Sequence, residues 1–265
     1  MNDLSTEQKK FLESKKKHKR VVSISQFLIL CSFLFLWEYT ANIGVLDSFI
    51  FSSPSRISLC FLELLSDGVI TEHILVTLFE TIISFLLVIL ISIALTILLW
   101  LSPKLSEILD PYLVVLNSLP KSALAPLLIV WLGANEKTII VAGMSVAIFG
   151  SILSLYTSFS IVDPEKIKLI YTLQGNRFHV LTKVILPCSI PAIINIMKVN
   201  IGLCLVGVVI GEFLAAKRGL GYLIIYSSQV FKMNWLLLGI VLLCIMATLL
   251  YSMINLLDRW CKKRF

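Results

Sequence analysis

Charge is scarce in this chain. Asp, Glu, Lys and Arg together make up 15% of its 265 residues, against about a quarter in ordinary soluble domains. With 58% apolar residues and a mean hydropathy of +0.93, a soluble fold has too little polar surface to cover its core, so the composition places the chain in a bilayer. Catalytic signatures are absent as well: there is no HExxH, GxSxG, Walker A or Gly-rich nucleotide loop. The six cysteines, Cys31, Cys60, Cys188, Cys204, Cys244 and Cys261, form no CxxC and have no His at ligand spacing. They read as small apolar residues rather than as metal ligands or a disulfide framework. His18, His73 and His179 fall in three separate polar stretches, which argues against a shared site. No catalytic residue and no metal site are assigned.

What is present is a series of long apolar runs. Six candidate spans are read at 21–41, 74–101, 109–132, 138–160, 185–214 and 235–257, each with about the 20 residues that cross a 30 Å hydrocarbon layer. The expected fold is therefore an all-α membrane protein with six transmembrane helices and both termini on one side. Residues 1–20 form a basic N-terminal arm ending KKKHKR, and 21–265 a single membrane domain. The arm reads as a flank that fixes orientation; nucleic-acid or anionic-lipid binding is its competing reading. A signal peptide fits poorly, because the following apolar run is too long and lacks a small-residue cleavage site. With six spans, sixteen of the 23 Lys and Arg lie on the side of the termini, five on the other side and two within spans. This asymmetry puts both termini in the cytoplasm, and no nucleic-acid partner is needed to explain the net charge of +7. Trp100, Trp131, Trp235 and Trp260 stand at span ends, where an aromatic belt belongs.

One cytoplasmic stretch, 161–187, is too charged to cross a bilayer and too apolar for a solvated connector. Asp163 is placed to cap a helix, Pro164 suits the first helical position, and Ile167, Ile170 and Tyr171 share a face. Gln174-Gly175-Asn176 is expected to end that helix, with Gly175 just past the C-terminus and Asn176 capping a second short helix that carries Phe178, Leu181 and Ile185. Two short amphipathic helices with a bend between them form a knob able to enter a groove on another protein.

Polar residues inside the spans are the candidates for a translocation path. The third span carries Asn117, Ser118, Pro120, Lys121 and Pro126, and broken backbone at membrane depth requires burial or a wet cavity. It is either a gate or path segment, or a Pro-kinked packing helix with Lys121 snorkelling to the interface. Lys198 and Glu212 are the costly charges of the fifth span, and Glu212 has the interface as its alternative position. Gly207 and Gly211 form a GxxxG, a pattern of close helix packing.

The segment 163–187 resembles the cytoplasmic EAA loop of ABC-importer permease subunits, the binding-protein-dependent transport inner-membrane component family. The matching positions are Asp163-Pro164, Thr172-Leu173, Arg177, Lys183-Val184-Ile185-Leu186-Pro187 and Ile190-Pro191. The departures are Lys168-Leu169-Ile170 in place of Glu-Ala-Ala, and Gln174 in the usual Gly place with Gly175 one residue later. SSPSRI after the first span, Pro120 through PLLIVWLG, and GEFLAAKRGLGYLI are similar to the nitrate/sulfonate/taurine branch. The resemblance implies the type I importer permease fold with cytoplasmic coupling helices, multi-pass in a bacterial inner membrane. It implies a permease forming the path for a small solute, with no catalysis in this chain. It also implies three protein partners: a cytoplasmic ATPase dimer that binds the ATP and Mg, a second permease expected to be identical, and an extracytoplasmic solute-binding protein. Asp163, Pro164, Lys168, Leu169, Ile170, Leu173, Gly175, Arg177 and Pro187 are the expected coupling residues, with Leu169, Ile170 and Leu173 filling the ATPase groove. An ATP-independent secondary transporter or channel is the alternative; inverted repeats or polar rings in several spans would mark it, and neither is visible in the sequence.

Overall fold

The computed structural model describes residues 6–264, so the first five residues of the basic arm and Phe265 lie outside the described residues. Among the described residues there is no strand. Lipid offers no hydrogen-bond partner to a backbone amide, and a helix satisfies its amides within the segment.

The chain divides into two compact units, 1–63 and 64–265. In the first, α1 (Thr6–Ile43) continues from the basic arm into the first apolar run without a break. Asp47 accepts from the Phe49 amide to cap the short α2 (Ser48–Phe51). The SSPSR turn then leads into α3 (Pro54–Ser66). Glu38 holds that turn, accepting from the Ser55 amide at 3.0 Å and the Ser55 hydroxyl at 2.8 Å, and Trp37 Nε1 donates to the Phe51 carbonyl.

The second unit is built on α4 (Val69–Leu101), α7 (Glu136–Ser160) and α10 (Leu186–Ala215), which pack on one another, with α11 (Leu220–Gln229) and α12 (Met233–Arg264) alongside. The inward face of α4 is more polar than its outward face. The buried stripe of α4 includes His73, Thr77, Glu80, Thr81, Ser84, Ser92 and Thr96 at helical spacing, whereas Leu75, Phe79, Leu86 and Leu90 are exposed. Lipid solvates leucine as well as a protein core does, so association comes from close packing and interhelical hydrogen bonds. Asn200 donates to Ser151 at 2.7 Å and Ser151 reaches Ser92 at 3.2 Å, tying α10, α7 and α4 at one level. Ser84 Oγ lies 3.0 Å from the Ile140 carbonyl. The GxxxG expectation holds: a Cβ on Gly207 would lie 2.8 Å from Gly143 Cα and 2.9 Å from the Ala142 carbonyl, and one on Gly211 3.2 Å from Ile139 Cα.

The third span differs from its expected form. It is two helices, α5 (Pro103–Ser118) and α6 (Lys121–Leu132), bent by 97° at the break. With 16 and 12 residues, neither alone crosses about 30 Å of hydrocarbon at 1.5 Å per residue. The break sits at Leu119-Pro120, both extended, because proline lacks an amide hydrogen and moves the residue before it out of the helical region. Pro126, expected to break this span too, stays inside α6, as Pro111 does inside α5.

Among the described residues, five helices are long and apolar enough to cross a membrane, and the bent pair makes a sixth if it counts as one. The second short helix expected after Asn176 is not separate. α9 (Arg177–Val180) passes through a π-helical turn, Leu181–Ile185, directly into α10, giving 39 continuous residues from Arg177 to Ala215. The wider turn immediately precedes Pro187, whose ring cannot sit on a regular preceding turn and whose missing amide hydrogen leaves a carbonyl without its usual donor.

Candidate functional site

The expected coupling loop is formed by α8 (Pro164–Thr172) and α9. Asp163 accepts from the Glu165 amide at 2.9 Å and Pro164 occupies the first turn, as the sequence requires. The end of α8 is made differently. Gln174, at φ 58°, takes the left-handed position expected of Gly175. Gly175 is needed for lack of a side chain: its amide donates to the Ile170 carbonyl at 2.8 Å, and a Cβ there would lie 2.8 Å from the same oxygen. Asn176 then caps α9, accepting from the His179 amide at 2.9 Å while its own amide donates to His179 Nδ1 at 3.2 Å.

The two faces of α8 do different things. Ile167 and Ile170 pack against a buried cluster of Phe159, Val180, Leu181 and Ile185. Lys168 is exposed, as are Leu169 at 58% and Leu173 at 72%. Ile170 therefore faces inward, while Tyr171, expected to share its face, is exposed, as is Phe178 on α9. Arg177 donates from Nη1 to the Leu101 carbonyl at 3.1 Å, so it hooks the loop onto the last turn of α4. An exposed carbonyl at a helix C-terminus is a natural acceptor for a cation.

The six candidate path residues do not converge. Asn117, Ser118, Pro120 and Lys121 cluster at the α5–α6 bend, where Lys121 Nζ donates to the Asn117 carbonyl and Asn117 faces α7 at Gly150. Lys198 and Glu212 lie fourteen positions apart on α10, about 21 Å at 1.5 Å per residue. Lys198 forms a buried ion pair of 2.6 Å with Asp258 on α12, a partner the sequence reading left unassigned. Beside it a cavity of about 360 Å³ opens between Pro187, Pro191 and Cys261.

Glu212 is not at an interface but 1% exposed, in a polar knot at the end of α4 remote from the coupling loop. It accepts from Thr77 Oγ1 at 2.7 Å and from the Gly221 amide. Thr77 Oγ1 in turn accepts from the Leu220 amide at 2.7 Å, and His73 Nδ1 accepts from the Gly219 amide at 2.9 Å. Three successive amides of the GLG turn are thus bound by α4 and α10. Gly219 has φ 109°, and a Cβ on it or on Gly221 would come 2.7 Å from Glu212 Oε2. His73 escaped the sequence reading because it was placed in a connector, whereas Thr77 and Glu80 fell within the second span, where Glu80 stood as its one charge, and neither was given a role. The three-to-four-residue spacing of polar groups along an otherwise apolar run was the signal available.

Long apolar helices around a polar interior, with a capped amphipathic helix at one end of the bundle, define a multi-pass helical membrane protein. Residues 89–265 match the model of the binding-protein-dependent transport system inner membrane component family, and the chain belongs to that family, the permease subunits of ABC importers. Among its relatives is a Bacillus subtilis protein named as an aliphatic sulfonates transport permease, SsuC, 26% identical over 94% of this chain and 90% of that protein. The taurine transport system permease protein TauC of Escherichia coli is 26% identical over 87% of this chain and 86% of its own length. A chain of the MetNI methionine ABC transporter, in an inward-facing form, superposes with a TM-score of 0.66 at 17% identity, over 73% of this chain and 96% of that one. The fold is that of type I ABC importer permeases.

Proposed function

We propose that α8 is the element through which a cytoplasmic ATPase drives this permease, that the termini and the 161–187 loop lie in the cytoplasm, and that the solute is a small sulfonate-type molecule delivered by an extracytoplasmic binding protein. The assembly has two permeases, taken as identical, and two ATPases, which bind the ATP and Mg. The observation that carries the coupling reading is the division of α8: one face locked to the Phe159 cluster, the other offering Leu169 and Leu173 to a partner. A rod fixed on one side and docked on the other transmits displacement, and Arg177 on the α4 terminus carries it to a helix of the core. Asp163, Pro164 and Gly175 shape the rod, Lys168 lies at its exposed edge, and Pro187 follows the π turn into α10. The bend at Asn117, Ser118, Pro120 and Lys121 is the proposed gate, because its backbone is already broken there. The sulfonate class rests on the relatives SsuC and TauC.

The test is L169A/L173A in the assembled transporter. Expected are normal membrane insertion and loss of at least about tenfold in ATPase association, since each deleted apolar side chain contributes on the order of 1.5 kcal/mol. Association equal to wild type would remove α8 as the docking element.

A further inference from the structure

Positive charge is most concentrated just before the first apolar run. Lys15, Lys16, Lys17, Lys19 and Arg20 stand within six residues, with His18 among them, and all are exposed on α1. Between Ser14 and Trp37 there is no acidic residue, and among the described residues no ion pair joins this band to an acid. The helix runs through the junction with the apolar run without a break. At 3.6 residues per turn the five cations therefore spread over roughly 200° of its circumference, in a band about 9 Å tall.

The depth of the band follows from the run beside it. Residues 21–37 carry no charge, and every side chain from 21 to 36 is exposed. That run measures about 25 Å at 1.5 Å per residue, close to a hydrocarbon thickness of about 30 Å. At its far end Trp37 donates to the Phe51 carbonyl and Glu38 accepts from Ser55, so a tryptophan and a carboxylate mark one headgroup layer. Arg20 and the lysines before it then stand in the other headgroup layer, with no polar spacer to carry them into solution. Lipid phosphates are the anions that reach such a band from several sides at once. A nucleic acid would have to approach a bilayer surface that is itself negative, which favours lipid as the occupant.

We propose that the 15–20 band of α1 is a binding surface for anionic phospholipid headgroups, which it gathers around the first span beyond any part in orientation. The inference needs α1 to cross the bilayer; it depends neither on the ATPase reading nor on which side the termini lie. The test uses the full chain in vesicles whose two leaflets have the same composition, so that either orientation gives the same result. S14C, in a background with the six native cysteines replaced, carries a donor fluorophore. Energy transfer to acyl-labelled phosphatidylglycerol is compared with transfer to acyl-labelled phosphatidylcholine. With the native cations, phosphatidylglycerol is expected to be favoured by at least about twofold at low salt, and the excess to vanish at high salt. K15Q/K16Q/K17Q/K19Q/R20Q is expected to show no preference, and K15R/K16R/K17R/K19R to keep it. If the five-site variant does not insert, K16Q/K17Q/R20Q decides, with at least about half of the excess lost. Equal transfer to both lipids with the native cations, an excess indifferent to salt, or an undiminished excess in the Gln variants overturns the proposal. Displacement of the labelled phosphatidylglycerol by an added RNA duplex overturns it as well, and would assign the band to nucleic acid.

Discussion

Lys198 and Asp258 pose the sharpest question at the scale of the residue. Each is a charge that the bilayer penalises, and each is tolerated because the other lies 2.6 Å away. Removing one partner leaves an uncompensated buried charge, so K198M or D258L alone is expected to lower stability by about 3–5 kcal/mol. The double variant K198M/D258L exchanges the pair for apolar volume and is expected to recover most of that loss, as thermal melting in detergent will read. Equal damage from the singles and the double would show that the pair serves packing rather than charge. Gly207 tests a different force. Its Cα lies where a side chain would strike Gly143 and Ala142, so G207V is expected to separate α7 from α10 at a cost of about 1–3 kcal/mol. A Gly202 variant is the control, since a Cβ there meets nothing within 4 Å; stability of G202A should be close to wild type.

Elements carry a second set of consequences. The α8–α9 unit is held to the bundle by an apolar face and by one side-chain hydrogen bond from Arg177 to the end of α4. R177A is therefore expected to leave the helices intact and to loosen their seating, so that amide exchange over 167–170 quickens while that of α7 does not. Unchanged exchange would mean that the Phe159 cluster holds the unit without help. Much of this unit was legible beforehand. Asp163, Pro164 and Asn176 act within three residues of themselves, and local capping chemistry is written in residue order. The end of α8 was not legible in the same way, because Gln174 adopts the left-handed turn only once Gly175 admits the Ile170 carbonyl. Likewise the inward position of Ile170 depends on Phe159 and Val180, which lie on the elements before and after α8 and meet it only once the chain folds back. At the α5–α6 break, proline number misled: four prolines lie in those helices or between them, and only Pro120 breaks the chain.

For the whole molecule the testable statement is orientation. The distribution of Lys and Arg is the ground for proposing that the 161–187 loop and the 216–219 turn lie on opposite sides of the membrane. K168C and K217C, in a background with the six native cysteines replaced, are expected to react with an impermeant thiol reagent from opposite faces, K217C in intact cells and K168C only after permeabilisation. Reaction of both from one face would reverse the reading of the six-span topology.

The sequence alone determined that this chain lives in a bilayer, roughly where it crosses, which stretches stay outside the lipid, and which family it resembles. Those properties follow from composition, run length and short-range capping, which are fixed by neighbours along the chain. Only the tertiary structure decided that Lys198 finds Asp258, that Glu212 binds the GLG turn through Thr77 and Gly221, and that Glu80 is buried beside Glu212 at the edge of a cavity. In a membrane the polar groups turn toward one another because lipid offers them nothing, and which of them meet depends on how α4, α7, α10 and α12 pack, a relation between residues sixty to more than a hundred positions apart.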